Sequence, residues 1–469
     1  MKKTTILLFL IIIPLIFIAQ NENKTLSLSI KQAQDYAIEN NKSLKNYNID
    51  VEIAKRQMWQ IIAKGLPQVS GTIDYTNYFN YKMNLSLGGG SGSTFDINNI
   101  SQEMMELYGF DKGDISILGL LESMMGGGGT EIKMKNSSNA KLQATQLLFS
   151  GEYITGIQMQ KIARMFVDIN NEKSILDIKE QVTNTYYQSL IIQKSIDLLD
   201  ANLENLKETL KKTEVLYNIG MIEETSVDQL KLTISSIEIQ KNSLQRNAQL
   251  NLSFMKIHLS LKPDDEITLT EKYDDVFGSM DFSSTLNSTF DIKNTINMRL
   301  LEKQENIQER KIALKRWAFA PTLVGIYSHT EKLMTTSFDM NPKNLFMLQL
   351  SIPIWSSGER TTAVQEQKLE LLKLQNNREI ISEQLALQEQ QLRLNLISAL
   401  EQYNNQKENI ALAQKIYEKT EIKFRQGVVS SFDLIQAHSN LLQAQSSFIQ
   451  TGMQVLQTKL ILDKFLEQI

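Results

Sequence analysis

Four glycines constrain this chain more than any other feature. Gly220 and Gly427 lie 207 positions apart, and so do Gly151 and Gly358. Each of the first two follows a Thr-Glu pair (Thr213-Glu214, Thr420-Glu421) and precedes helix-like sequence, "MIEETSVDQLKL" after one and "VVSSFDLIQAHS" after the other. Each of the second two sits between Ser and Glu, in "LLFSGEY" and "IWSSGER". Further upstream the offset becomes 254. It pairs Pro67 with Pro321, Leu44 with Met298, Lys45 with Arg299 and Ile53 with Ile307. The chain is therefore one unit written twice, and the first copy carries 47 extra residues (254 minus 207) between Pro67 and Gly151. Any fold must give both copies the same succession of elements.

That succession is legible. A first helix covers roughly 29–64, and Ser29 followed by Gln32 fits a capping box. Long helices follow the strand pairs. In copy one an apolar stripe runs through Ile175, Ile178, Val182, Ile192, Ile196, Leu199, Leu203, Leu206, Leu210 and Tyr217, interrupted by Thr185, Ser189 and Thr213. In copy two it runs through Leu385, Leu392, Leu396, Ala399, Tyr403, Ile410, Ala413, Tyr417 and Phe424, broken by Glu389, Gln406 and Thr420. A sustained seven-residue repeat is the seam of a left-handed coiled coil. A helix from about 152 to 217 would be roughly 100 Å long at 1.5 Å per residue. Taken alone, the stripe suits a fibrous coiled coil equally well.

The strands separate these readings. In "QVSGTIDYTNYF", Val69, Gly71, Ile73, Tyr75 and Phe79 alternate with polar residues. In "LFMLQLSIPIW", Phe346, Leu348, Leu350, Ile352 and Ile354 share one face, and the opposite face is partly polar. "KLQATQLLF" and "PTLVGIYS" are weaker examples. Strands of about ten residues with one apolar face fit a transmembrane barrel; a soluble sheet with one buried face is the other solution. Four strands are too few to close a barrel, and lipid does not tolerate an open edge. Three chains would supply twelve strands.

Composition excludes much else. The chain has no cysteine, so disulfides, zinc-thiolate sites and thiol nucleophiles are ruled out. The formal charge is −4 and becomes −6 without Lys2 and Lys3, which leaves no basic footprint for nucleic acid. Lys2 and Lys3 precede an apolar run from Ile6 to Ile18 and a small residue at Ala19. That start reads as a secretory signal, 1–19, and is too short for a spanning helix. "GGGSGST" (88–94) and Gly126–Gly129 lack the Gly-Lys-Ser/Thr end of a phosphate loop. His258, His329 and His438 lie far apart, and the pairs Met104-Met105 and Met124-Met125 sit beside glycines in the inserted loop. No catalytic, cofactor or metal site is expected.

These residues carry a resemblance. The chain resembles the TolC-like outer membrane factor family over essentially all of its mature length. The most specific stretch is the second tip: Gly427, Ser430, Asp433, Leu434 and Ile435 match the family's pattern of Gly, Ser/Thr three on, and Asp-Val/Leu-Leu/Ile from six on. The first tip keeps Gly220 but has Glu223 at the Ser/Thr position and Ser226 at the Asp position. "SLSIKQAQDYAIENNKSLKNY" and the Pro after each first helix are also similar.

The resemblance implies a mainly α fold with a small membrane β-barrel. A homotrimer would share a twelve-strand barrel continued by a coiled-coil α-helical tunnel in the periplasm of a Gram-negative cell. It implies an outer membrane exit duct for a tripartite efflux pump or type I secretion system, with outer membrane lipid around the barrel. The partners implied are a periplasmic adaptor protein and an inner-membrane transporter (RND, ABC or MFS type). Gly220, Glu223, Gly427, Ser430, Leu434 and Ile435 become docking residues at the tips. Asp433 and Gln436 match two acidic gate positions, Val429 matches a basic latch residue and Ser226 its acidic partner. The family's ion pair thus does not carry over, and packing of Val429 with Phe424 is the expected substitute. Asp433 has two readings, a ring of three carboxylates in a narrow pore or a helix N-cap after the turn.

The expected layout is a first repeat over 20–262, a linker or equatorial segment over 263–285 and a second repeat over 286–469. Copy one has strands near 66–80 and 139–149, an extracellular insertion over 81–138, read as a lid or a plain surface loop, and a hairpin over 152–261 with its tip near 220. Copy two has strands near 320–330 and 344–354 and a hairpin over 359–467 with its tip near 427. A soluble periplasmic coiled-coil adaptor or structural protein is the other function class. It has no need of duplicated alternating strands.

Overall fold

The computed structural model describes residues 25–79, 81–85, 130–133, 135–334 and 342–469. The signal segment, most of the insertion with its glycine clusters and both methionine pairs lie outside the described residues. In order, the elements are β1 (Thr25–Leu28), α1 (Ile30–Asn40), α2 (Lys42–Lys64), β2 (Gln68–Thr76), β3 (Lys82–Leu85), β4 (Thr130–Lys133) and β5 (Ser137–Phe149). Then come α3 (Gly151–Asn218), α4 (Glu224–His258), β6 (Glu266–Leu269), α5 (Tyr273–Gly278), α6 (Phe282–Asn287) and α7 (Ile296–Trp317). The chain ends with β7 (Thr322–Met334), β8 (Asn344–Ser351), α8 (Glu359–Arg425) and α9 (Ser431–Phe465).

Contacts divide the chain into two units that cut across both sequence repeats. One unit takes 55–161 and 307–370, and the other takes the remainder. The first unit contains an antiparallel sheet in the order β2-β5-β7-β8, whose central pair joins the two copies. Register puts Val69 beside Ala144, Ala144 beside Tyr327 and Tyr327 beside Phe346, and it aligns Gly325 with Leu348 and Leu323 with Leu350. Residues in register share a face. One face therefore shows Val69, Ile73, Tyr75, Leu142, Tyr327, Phe346, Leu348 and Leu350, and Ile73 is 79% exposed in the single chain. Facing the other way are Ser70, Thr72, Gln143, Thr145, Ser328 and Gln349, with Ile326 and Met347 among them. Strands β3 and β4 pair with each other at the base of the insertion, so 81–138 is not loop throughout.

The second unit holds the two tip hairpins. Their seam residues form the core: Val182, Leu199, Leu203 and Leu206 from α3, Leu230, Ile234 and Ile237 from α4, Leu396, Ala399 and Tyr417 from α8, and Leu434, Leu441 and Leu456 from α9. The seam's polar interruptions are satisfied locally. Thr185, Ser189 and Thr213 each donate to the carbonyl four residues back. Asn251 of α4 donates to the Thr185 carbonyl and to Ser189 Oγ. Glu389 pairs with Arg393, which also donates to the carbonyls of Thr285, Leu286 and Ser288 at the end of α6.

One expectation needs correction here. The opening helix is not continuous over 29–64. Ser29 caps α1 with Gln32 as foreseen, but Asn41 is extended at φ −59°, ψ 128°. Its side chain is occupied by the Ser43 amide and the His258 carbonyl, so it serves as a joint between α1 and α2. The segment 263–285, expected as a linker or equatorial segment, is structured. β6 runs parallel to β1, and Ile30 N donates to Glu271. Tyr273, Phe277 and Phe282 from this segment continue a stack of rings to Tyr403 and Phe448.

Candidate docking and gating site at the helix tips

Both long helices end in the same way. Gly220 and Gly427 have φ of +76° and +74°. In each turn the amide after the glycine reaches back five residues: Met221 N donates to Leu216 O and Val428 N to Lys423 O, both at 2.9 Å. The glycine amides donate to Tyr217 O and Phe424 O. This is a Schellman ending, which satisfies orphan carbonyls and demands a left-handed residue at the glycine position.

The two tips differ in how the next helix starts. Ser430 is the N-cap of α9; its Oγ accepts from Asp433 N, and Asp433 returns the favour by accepting from Ser430 N at 3.0 Å and Ser430 Oγ at 2.7 Å. Asp433 is thus the third residue of a capping box and not the cap itself. Those bonds hold its carboxyl below the usual carboxylate range. At the first tip Glu223 occupies the cap position without capping α4; its carboxylate accepts from Thr225 Oγ1.

The structure redistributes the remaining site residues. Phe424, Leu434, Tyr417, Ala437 and Leu441 form one buried cluster, with Val429 packed against it. Val429 thus lies against the cluster that contains Phe424. Ser226 has Ser431 as its partner, at 2.9 Å between hydroxyls, and this bond joins the two tips. Gln436 is exposed and donates to Asn440.

Leu434 needs correction as a docking residue. Leu434 is 2% exposed, and Ile435 packs against the core of the first hairpin. Leu434 is one helical turn past the cap on the face the seam requires, so an adaptor does not meet it while the turn is closed, whereas Ile435 stays partly exposed. The apolar side chains that do project from the tips are Ile219, Met221, Val428 and Phe432, each more than 60% exposed. Their signal lay in the sequence as apolar residues off the heptad stripe. Asn202 and His438, a buried polar pair behind the second tip, carry no comparable signal.

Among the described residues no helix is long and apolar enough to cross a membrane, and no acid-histidine cluster suits a metal ion. The family model for outer membrane efflux proteins matches residues 292–466. No curated protein matches the sequence. Solved structures match along nearly the whole chain. CusC, studied for transmembrane channel formation, aligns with TM-score 0.69 at 13% identity, covering 96% of this chain and 95% of its own. The Campylobacter jejuni outer membrane channel CmeC gives 0.65 at 16% identity, with coverages of 94% and 85%. The open state of the Neisseria gonorrhoeae MtrE channel gives 0.66 at 14%, with 93% and 88%.

Proposed function

We propose that this chain, whose residues 292–466 match the outer membrane efflux protein family and whose fold is that of the outer membrane channels, is one protomer of an outer membrane exit duct. The observation that carries this reading is the sheet. It has an exposed apolar face that carries Tyr75, Tyr327 and Phe346, a more polar opposite face, and edges at β2 and β8 that no strand of the sheet covers. In lipid those edges must be paired, and further copies of the same chain pair them. Three copies make twelve strands, a closed barrel whose polar face lines the passage.

The chain acts as a homotrimer in the outer membrane of a Gram-negative cell, with the tip hairpins in the periplasm. There they meet an adaptor protein that links the duct to an inner-membrane transporter. No catalytic step is assigned; transport through the duct is passive, and the transporter supplies the energy. The soluble adaptor alternative leaves the exposed apolar face and the two open edges unexplained.

The test is extraction and conductance. The protein should leave membranes only with detergent, migrate as a heat-modifiable trimer and form conducting pores in planar bilayers. A monomer released by salt alone would sink the reading.

A further inference from the structure

Behind the second tip, a buried histidine of α9 makes a polar contact with α3. His438 is 1% exposed, and its Nε2 lies 3.0 Å from Asn202 Oδ1. The Asn202 amide is oriented by two donations from its Nδ2, to Leu198 O at 2.8 Å and to Gln445 Oε1 at 3.1 Å. Its oxygen therefore faces the histidine, and the Nε2 must carry the proton that the pair shares. The other ring nitrogen, Nδ1, is buried and has no hydrogen-bond partner. The edge of the ring meets Tyr417 of α8, with centroids 5.5 Å apart.

We propose that His438 is a proton-operated release for the second tip hairpin: protonation at Nδ1 breaks the packing of α9 against α3 and α8 and so favours the open tip. This rests on the exit-duct reading for its consequence, though not for its geometry. A neutral imidazole satisfies the site, with one donor used and one lone pair buried. An imidazolium would place a second N–H and a full charge where no acceptor reaches it.

No counter-charge is at hand. α3 presents Asn202 to the ring and α8 presents Tyr417. The charged groups that act on Tyr417 are Glu208 of α3 and Glu421 and Arg425 of α8. Glu208 is bonded to Lys212 and Glu421 to Arg425. Burial alone acts on His438, pulling its pKa down to about 4.

The direction follows from linkage. With the tip open and the ring in water, the pKa returns to about 6.5. The open form then takes up a proton that the closed form refuses. The closed form loses ground as the pH falls from about 6.5 to about 4, and the loss stops below that. One proton per hairpin sets the limit at about a tenfold change in the closed-to-open ratio per pH unit per protomer.

The test uses the full chain, which has no native cysteine to interfere. Spin labels at Glu204→Cys of α3 and Ser439→Cys of α9, both exposed positions, report the separation of the two helices in purified trimers. Between pH 7.5 and 4.5 the distance distribution should move to longer values, with its midpoint between about 4 and 6.5. His438→Gln can still donate to Asn202 but does not titrate, and it should remove the response. If His438→Gln fails to assemble, His438→Met fills the same space without titrating. An unchanged distribution in the parent protein, or the same pH response in a non-titrating variant, overturns the proposal. The distances decide this whether or not the trimers conduct, so failure of the duct reading shows separately as absent conductance at every pH.

Discussion

At the scale of single residues, the tip glycines are needed for their backbone. A Cβ built on Gly427 meets no atom within 4 Å, so crowding is not the obstacle. The obstacle is φ of +74°, which costs a β-branched residue on the order of 1–2 kcal/mol or more. Gly427→Val should lower hydrogen-exchange protection at Val428 and Ser430 and reduce adaptor crosslinking, while trimers still assemble. Gly427→Asn, which tolerates the left-handed region, should retain both. Asp433 offers a cleaner experiment than its sequence pattern promised. Asp433→Asn keeps an oxygen for the Ser430 amide, so tip protection should survive. A fall in cation selectivity in bilayers would then report a ring of charge across copies, and unchanged selectivity would leave Asp433 with its capping role only.

At the scale of elements, the segment between the repeats is fastened by a close approach. A Cβ on Gly452 of α9 would lie 2.0 Å from the Tyr273 hydroxyl of α5. That hydroxyl is buried beside Tyr403. Gly452→Ala should therefore destabilise the chain by about 1–3 kcal/mol, the usual cost of overpacking. Tyr273→Phe removes the obstructing atom. It should restore most of the loss in Gly452→Ala. Thermal unfolding of the four proteins of this cycle decides it; equal losses with and without Tyr273→Phe would show that the contact is not the cause.

At the scale of the whole molecule, the sheet's two faces predict opposite tolerance. Leu348 points to the proposed lipid side, and Gln349, one residue on, points to the passage. Leu348→Arg should cost up to about 2–4 kcal/mol and deplete trimers in the outer membrane. Gln349→Arg should assemble normally and shift the ion selectivity of the pore. The heat-modifiable band and bilayer recordings read both. Reversed results would put the lumen on the other face.

The duplication, the long helices and the tip glycines were legible in the sequence because each leaves a local mark. A heptad stripe, an alternating strand and a glycine with a fixed offset all depend on residues near one another in the chain. Ser430, Gly220 and Gly427 sit as their neighbourhoods dictate. The joint at Asn41 was not legible, since its side chain is engaged by the carbonyl of His258, 217 residues away. Nor was the pairing of Ser226 with Ser431, across 205 residues, or the burial of Leu434 that removes it from a docking surface. Asn202 and His438 look like ordinary polar residues in helical sequence, and only α9 packing against α3 makes one the partner of the other. Local chemistry determined which elements form and where they turn. Which side chains meet was decided by the packing of helices far apart in sequence, because burial and unmet hydrogen bonds are properties of the assembled interface and not of any segment.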